Sequence, residues 1–240
     1  MKTSKLIAIL SLSLGLSGSA QAALYSFVFN SGFANLGNVP DGNLSGWSDQ
    51  RSLSGILYNH ITDVQVKLNL NGGYNGDLYA YISHDTVLIP LLNRVGVGTG
   101  NPFGSSDSGF DVTFTATGSD VHLASAGGGQ LTGTYKADGR QISPISAASA
   151  FDPSGTIALS AYNDLNPNGD WWLFIADVSG GGGTSHINSW EVDIAAVPEP
   201  IEWALGIFAT LGIIGGLYRS GRLRRLLQKT QPAAAEARRL

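Results

Sequence analysis

The fold class is decided by the stretch Ile61-Thr62-Asp63-Val64-Gln65-Val66-Lys67-Leu68-Asn69-Leu70-Asn71. From Val64 to Leu70, apolar residues alternate with polar ones, so the two sets point to opposite sides of an extended chain. This period of two predicts a β-strand with one face in a core and the other towards solvent. No window between the two ends of the chain has a convincing helical period, so we expect the folded part to be all-β.

Short apolar runs recur along the chain and are separated by turn-forming residues. The turns include Asn71-Gly72-Gly73-Tyr74-Asn75-Gly76 and Asn166-Pro167-Asn168-Gly169, whose residue types favour reversals of the backbone. Further strands are predicted for residues 78–82, 87–92, 110–115, 121–123, 156–161, 171–177 and 190–194. Residues 141–150 are expected to form a loop or one helical turn. Many short strands divided by turns favour an antiparallel β-sandwich or jelly roll.

Composition limits the class of partner. The chain has 240 residues, 32 of them glycine, and no cysteine. Residues 23–196 are enough for one domain with a single core, which must be stable without disulfides. The formal net charge is −4, and most of the basic residues lie in the terminal segments. The central part therefore has few cations to neutralise phosphates, and we expect no nucleic-acid partner.

The N-terminus has the pattern of a secretory signal peptide. Lys2 and Lys5 precede an apolar run over residues 6–16, and Ala20-Gln21-Ala22 has the small-x-small form of a cleavage site. We expect residues 1–22 to be removed, with cleavage after Ala22.

The C-terminus combines a short motif, an apolar run and a basic cluster. Val197-Pro198-Glu199-Pro200 precedes residues 201–218, which hold one charged residue, Glu202. As a helix this run is about 27 Å long, close to the ~30 Å of a bilayer core. A buried core helix is the alternative, but such helices usually carry a polar face. The cluster consists of Arg219, Arg222, Arg224 and Arg225, and it predicts a cytoplasmic tail over residues 226–240.

This order of motif, apolar helix and arginines resembles the PEP-CTERM sorting signal of Gram-negative bacteria, here over residues 197–225. The resemblance implies recognition by a membrane-embedded exosortase. It also implies a single-pass anchor in the inner membrane, with the domain on the periplasmic side. After processing near Val197-Pro198-Glu199-Pro200, the domain would reach the cell surface or the extracellular space. The chain departs from the family pattern in its polar, alanine-rich extension after the arginines.

A second resemblance covers residues 23–196. It rests on Gly76-Asp77-Leu78, on the run from Asn168 to Asp177 with its Gly-Asp-Trp-Trp core, and on Asn188-Ser189-Trp190. In this order the motifs resemble the P domain (P/Homo B module) that accompanies subtilisin-like proteases and occurs in bacterial surface proteins. The resemblance implies a jelly-roll β-sandwich. Two departures are Gly72-Gly73, where the family often has a histidine, and a glycine-rich insertion over residues 96–108.

The motif residues have structural and functional interpretations. Trp171 and Trp190 are expected to pack in the core, where large aromatic rings contribute much of the buried area. Asp77 and Asp177 each lie beside a turn, where a carboxylate can cap backbone amides or bind Ca²⁺ together with carbonyls and waters. The P-domain resemblance favours calcium. No other cofactor is expected.

No catalytic site is predicted. The chain has four histidines and no cysteine. None of His60, His84, His122 and His186 lies in the setting of a triad base or forms an i, i+4 zinc pair, and we expect them to be solvated. Asp164-Leu165-Asn166-Pro167-Asn168-Gly169 begins like an EF-hand loop, but Ile175 stands where that loop needs a glutamate.

These observations favour a non-catalytic, exported surface or extracellular-matrix protein made alongside exopolysaccharide. One alternative is an accessory module that acts with a secreted subtilisin-like serine endopeptidase, as the P-domain resemblance implies. Another is a carbohydrate-binding domain, for which Trp47, Tyr74, Tyr79 and Tyr81 are candidate stacking residues.

Overall fold

The computed structural model describes residues 21–198 and 200–219, without the side chains of residues 200–205. The chain divides into two compact units, one ending at Val197 and one beginning at Pro198. Several predicted features lie outside the described residues: residues 1–20 of the signal peptide, including Ala20, the motif residue Glu199, the basic residues Arg222, Arg224 and Arg225, and the tail over 226–240.

The first unit consists of two β-sheets, as the alternating pattern predicts. Its strands are β1 (Ala23–Phe29), β2 (Asn38–Val39), β3 (Asn43–Leu53), β4 (His60–Asn71), β5 (Leu78–His84), β6 (Val87–Asn93), β7 (Phe110–Asp120), β8 (Leu131–Lys136), β9 (Gly169–Asp177) and β10 (Ser185–Val197). The larger sheet has the order β1-β10-β4-β7-β8, with β2 also paired to β10, and the smaller sheet has the order β3-β9-β5-β6.

Strand β4 has the burial pattern expected from its sequence. Val64, Val66, Leu68 and Leu70 are fully buried. Strand β4 pairs with β10 in antiparallel register, with Leu68 opposite Trp190 and Val66 opposite Val192. The alternation therefore places one face of the larger sheet in the core.

Two tryptophans occupy the core and have hydrogen-bond partners for their indole N–H groups. The Trp171 Nε1 donates to the carbonyl of Pro167 at 3.0 Å, and its ring stacks on His84 with centroids 4.1 Å apart. The Trp190 Nε1 donates to Asp49 Oδ2 at 2.8 Å. Both side chains are buried, so these bonds offset the cost of removing polar N–H groups from water.

Some predicted elements are wrong. Residues Val121–Leu123 form a 3-10 turn in place of a strand, because the Asp120 carboxylate accepts the backbone N–H of His122 at 2.9 Å and closes a local cap. Residues 156–161 contain no strand and lead into a 3-10 turn at Leu159–Tyr162. Strands β7 and β8 pair in parallel, whereas the sequence favoured an antiparallel sandwich throughout.

The second unit contains the helix α1 (Pro200–Arg219), which is 20 residues long. It includes the predicted helical run over residues 201–218. Within the described part of the chain, no helix is long and apolar enough to cross a membrane.

Candidate functional site

Three aspartates come together at one end of the smaller sheet. Asp77 closes the 3-10 turn Asn75–Asp77 directly before β5, and Asp177 is the last residue of β9. Leu78 and Asn43 both pair with Asp177 across the sheet. The register therefore places Asp77, Asp177 and the preceding loop residue Asp41 side by side, although they are far apart in sequence.

Asp177 is held in an unfavourable environment for a charged group. Burial raises its pKa to about 6, and the nearby carboxylates of Asp77 and Asp41 add to this rise. Two backbone N–H groups lower the pKa and oppose the rise only in part: that of Ser179, which donates to Asp177 Oδ1 at 3.1 Å, and that of Gly42. The pKa of Asp77 is also raised by burial; Arg94 offsets this rise and Asp41 reinforces it. A bound cation would relieve this accumulation of negative charge.

The second carboxylate oxygen of Asp177 has no hydrogen-bond partner among the described residues, and it is fully buried. Oδ1 therefore caps a turn, as one of the two sequence-based interpretations predicts, while Oδ2 has the lone pairs that a metal ion would use. In the described part of the chain, no group of three or more His, Asp or Glu side chains could hold a metal ion by itself. A calcium ion here would need backbone carbonyls and waters as further ligands, which Ca²⁺ accepts.

A buried ionic network lies elsewhere in the domain, and the sequence analysis did not predict it. The His122 Nδ1 lies 2.8 Å from Asp138 Oδ2, and Arg140 contacts Asp138 at 3.3 Å and Asp120 at 3.1 Å. His84 is also buried. The expectation that the histidines are solvated is therefore wrong for His84 and His122.

His122 and Asp138 are the residue types of a catalytic base and its orienting acid. Their geometry does not suit that role, because His122 Nε2 is not available to a nucleophile. The His122 Nε2 lies 2.8 Å from the carbonyl oxygen of Val97. A carbonyl oxygen only accepts hydrogen bonds, so Nε2 carries a proton and cannot take one from a serine hydroxyl. This pair fits a structural role.

The structure separates the predicted stacking residues into different environments. Trp47 is only 3% exposed, and its Nε1–H donates to the carbonyl of Ala34. The prediction that Trp47 stacks on a ligand is therefore wrong. Tyr79 and Tyr81 are half-buried on the outer face of the smaller sheet, while Tyr74 is 46% exposed. The aromatic residue that the sequence analysis missed is Trp172, which is 41% exposed. The sequence pair Trp171-Trp172 could have indicated it, because neighbouring residues in a strand point to opposite faces and only one of the two rings can face the core.

Among known proteins, only solved structures matched this chain. No protein-family model matches the chain, and no curated protein matches it. A crystal structure of an Aeromonas sobria serine protease with its chaperone (ORF2) superimposes with a TM-score of 0.45 at 12% identity, covering 79% of this chain and 29% of that one. A structure of the A. sobria serine protease superimposes with a TM-score of 0.43 at 13% identity, covering 78% of this chain and 29% of that one. The present chain thus spans less than a third of these chains, and similarity this low establishes neither a shared family nor a shared activity.

Proposed function

We propose that the chain is an exported, non-catalytic surface or extracellular-matrix protein of a Gram-negative bacterium, sorted through its C-terminus. The observation that carries this proposal is the arrangement around Val197. Strand β10 ends there, and the helix α1 begins at Pro200 in a separate compact unit. Val197-Pro198-Glu199-Pro200 lies at the junction, where a processing enzyme would release a complete β-domain.

The residues around this junction suit such processing. Proline lacks a backbone N–H and disfavours helix in the residue before it, so the Pro-Glu-Pro sequence favours an extended substrate ahead of the helix. The proposed single-pass anchor in the inner membrane, with the domain on the periplasmic side, rests on the sequence alone, in which the apolar residues 201–218 are followed by Arg219. Its partners would be the membrane and an exosortase. After release, the domain would lie within the exopolysaccharide outside the cell.

Fractionation and mass spectrometry in the native host test this proposal. In the wild-type strain we expect a mature protein that ends near residues 198–200 and lies on the cell surface or in the medium. In a strain without exosortase we expect the full tail and retention in the inner membrane. A variant with Pro198 and Pro200 both changed to Ala should behave like the deletion strain. Intact tail peptides on all of the mature protein in the wild-type strain would overturn the proposal.

We further propose that the β-domain is a jelly roll. In support, β10 lies between β1 and β4 in one sheet and β9 lies between β3 and β5 in the other, so late strands insert between early ones. The P-domain motifs also begin β5, form β9 and supply Trp190 of β10. The alternative role beside a secreted serine endopeptidase rests on the same motifs, and co-purification of a protease with the tagged protein from the native host would support it.

Calcium binding at Asp77 and Asp177, completed by backbone carbonyls and waters, is proposed on a different observation, the buried and unpartnered Oδ2 of Asp177. If Ca²⁺ binds only the folded domain, a hundredfold excess over its dissociation constant stabilises by about 2.7 kcal/mol. The melting temperature should rise between chelator and millimolar Ca²⁺, and Asp177→Asn should remove the rise. The exposed Asp164→Asn variant is the control. An equal melting temperature with chelator and with calcium would rule out the site.

A further inference from the structure

A cleft of about 370 Å³ lies at the end of the smaller sheet opposite the three aspartates. It is formed where β5 ends at His84 and β9 begins at Gly169. Its wall includes the polar side chains of Asp85, Asn166, Asn168 and Asp170, and its large apolar group is Trp172. Its volume is within the range of small-ligand sites, which combine one apolar surface with a few placed polar groups.

Trp172 is directed into this site by the pleat of β9. Trp171 points into the core and is fully buried, so its neighbour must point outwards. The backbone of Trp172 lies between Gln50 of β3 and Ser83 of β5. An indole ring that is 41% exposed between short polar side chains presents a flat apolar face beside hydrogen-bonding groups.

The polar wall of the cleft is fixed before any ligand arrives. The Asp170 carboxylate accepts hydrogen bonds from Gln50 Nε2 at 2.6 Å and from the Ser52 hydroxyl. The Asn168 side chain exchanges two hydrogen bonds of 3.0 Å with the backbone of Ile56. Groups held in place in this way lose little conformational freedom on binding, which favours affinity.

His84 fixes the loop that carries these groups. Its Nδ1 lies 3.0 Å from the carbonyl of Asp170 and its Nε2 lies 2.7 Å from the carbonyl of Asn166. The ring also stacks on Trp171. His84 thus connects both ends of the turn over residues 166–170 to the core, and acts as a positioning residue for the cleft.

The charge of the cleft selects against anionic ligands. Among the described residues, its wall contains the carboxylates of Asp85 and Asp170 and no lysine or arginine. A phosphate, a sulfated sugar or a uronic acid would be repelled. A neutral sugar suits the site, because its hydroxyl groups can donate to carboxylate and amide oxygens. The C–H groups on one face of a pyranose ring form an apolar, slightly positive surface that can lie on the negative face of an indole.

The outer face of the sheet offers a continuation of the site. Phe174 follows Trp172 by two residues on the same face of β9, about 7 Å further along the strand. Its ring stacks on Tyr81 with centroids 4.9 Å apart, and Tyr79 lies beside Tyr81. This row of rings leads away from the cleft and can contact further units of a chain ligand.

We propose that the Trp172 cleft binds a neutral polysaccharide, with Trp172 stacking on one sugar ring and the polar wall binding its hydroxyl groups. This binding site deepens the proposed surface role. It rests on that role only because the protein would meet the polysaccharide outside the cell. Binding is measured on purified protein, so it is independent of exosortase processing. Failure to bind sugar would leave the sorting proposal standing, and failure of exosortase processing would leave the sugar-binding proposal standing.

The test uses the full chain in detergent micelles and isothermal titration with cellohexaose, laminarihexaose and mannohexaose. We expect saturable binding of at least one of these neutral hexamers. Trp172→Ala should weaken it at least tenfold, and Trp172→Phe should retain part of it. Phe103→Ala is the control, because Phe103 is an exposed aromatic residue that does not line the cleft, and it should bind as the wild type does.

Melting curves establish that each variant is folded, and His84→Gln reports on the positioning role. It should weaken binding less than Trp172→Ala and lower the melting temperature. The proposal is overturned if folded wild-type protein binds none of the three hexamers, or if Trp172→Ala binds equally well. Preference for hexagalacturonate, or binding of a peptide library with no sugar binding, would overturn it too.

Discussion

Replacing Asp177 by Asn should stabilise the domain at neutral and alkaline pH in the absence of calcium. Burial raises the pKa of Asp177 from 3.8 to about 6. A shift of roughly two units corresponds to about 3 kcal/mol of cost for the ionised form in the folded state. The asparagine side chain removes the charge, but it places an amide N–H₂ where the unpartnered Oδ2 was. We therefore expect a net gain of about 1–2 kcal/mol at pH 8.

The sign of the pH dependence follows from proton binding. Between about pH 4 and pH 6, the folded state retains a proton on Asp177 that the unfolded state has released. The free energy of unfolding of the wild type therefore falls as the pH rises through this window. Below it, both states are protonated and the cost disappears. The charge costs about 3 kcal/mol and the expected net gain at pH 8 is about 1–2 kcal/mol. The variant should therefore be less stable than the wild type, by up to about 1–2 kcal/mol, near pH 4, and the difference should change sign between about pH 4 and pH 6.

Urea unfolding in chelator at pH 4, 5, 6, 7 and 8 measures this difference. The exposed Asp164→Asn variant should show no comparable pH-dependent gain. A difference between Asp177→Asn and wild type that is constant across pH, or a variant that is less stable at pH 8, would refute the argument that the ionised carboxylate is costly. Repeating the titration in millimolar Ca²⁺ should reverse the order at pH 8, because only the carboxylate can bind the ion strongly.

The remaining predictions concern packing, and urea unfolding measures each of them. Trp171→Ala should cost about 3–5 kcal/mol because it empties a large core site, whereas Trp172→Ala should cost far less; equal losses would contradict the assigned faces. Arg140→Met should cost about 3–5 kcal/mol, because it leaves Asp120 without its guanidinium partner and Asp138 with His122 alone, and an unchanged midpoint would show the network to be dispensable. Gly155→Ala should cost about 1–3 kcal/mol, since its Cβ would overlap the backbone of residues 138–140. Gly129→Ala meets open space and should be neutral, so equal effects would contradict the close approach.

Strands with strong alternation were predictable, and strands with polar sequences were not. Strand β4 was found within one residue of its bounds, because Val64 to Leu70 point alternately into the core and away from it. Strand β3, with its Gly46, Ser48 and Gln50, was missed because it lies at a sheet edge and buries few large side chains. Local hydrogen bonding explains the false strand at Val121–Leu123, since the Asp120 cap outweighs the β-propensity of a short apolar run.

The candidate sites were predictable only in part. Asp77 and Asp177 stood out beside their turns, but Asp41 joins them only because Asn43 and Leu78 both pair with Asp177. The cleft at Trp172 likewise depends on His84, which binds the carbonyls of two residues more than eighty positions away. Contacts at such separations leave no local pattern in the sequence.

The sequence by itself determined the β-class of the domain, the period of its central strand and the order of motif, apolar run and arginine at its C-terminus. These features depend on neighbouring residues, whose side-chain directions and turn preferences are fixed by local backbone geometry. Only the tertiary structure decided which strands pair in parallel, which histidines are buried and which tryptophan faces solvent. These outcomes depend on the packing of distant segments, where the burial of a common core outweighs the preference of any single stretch.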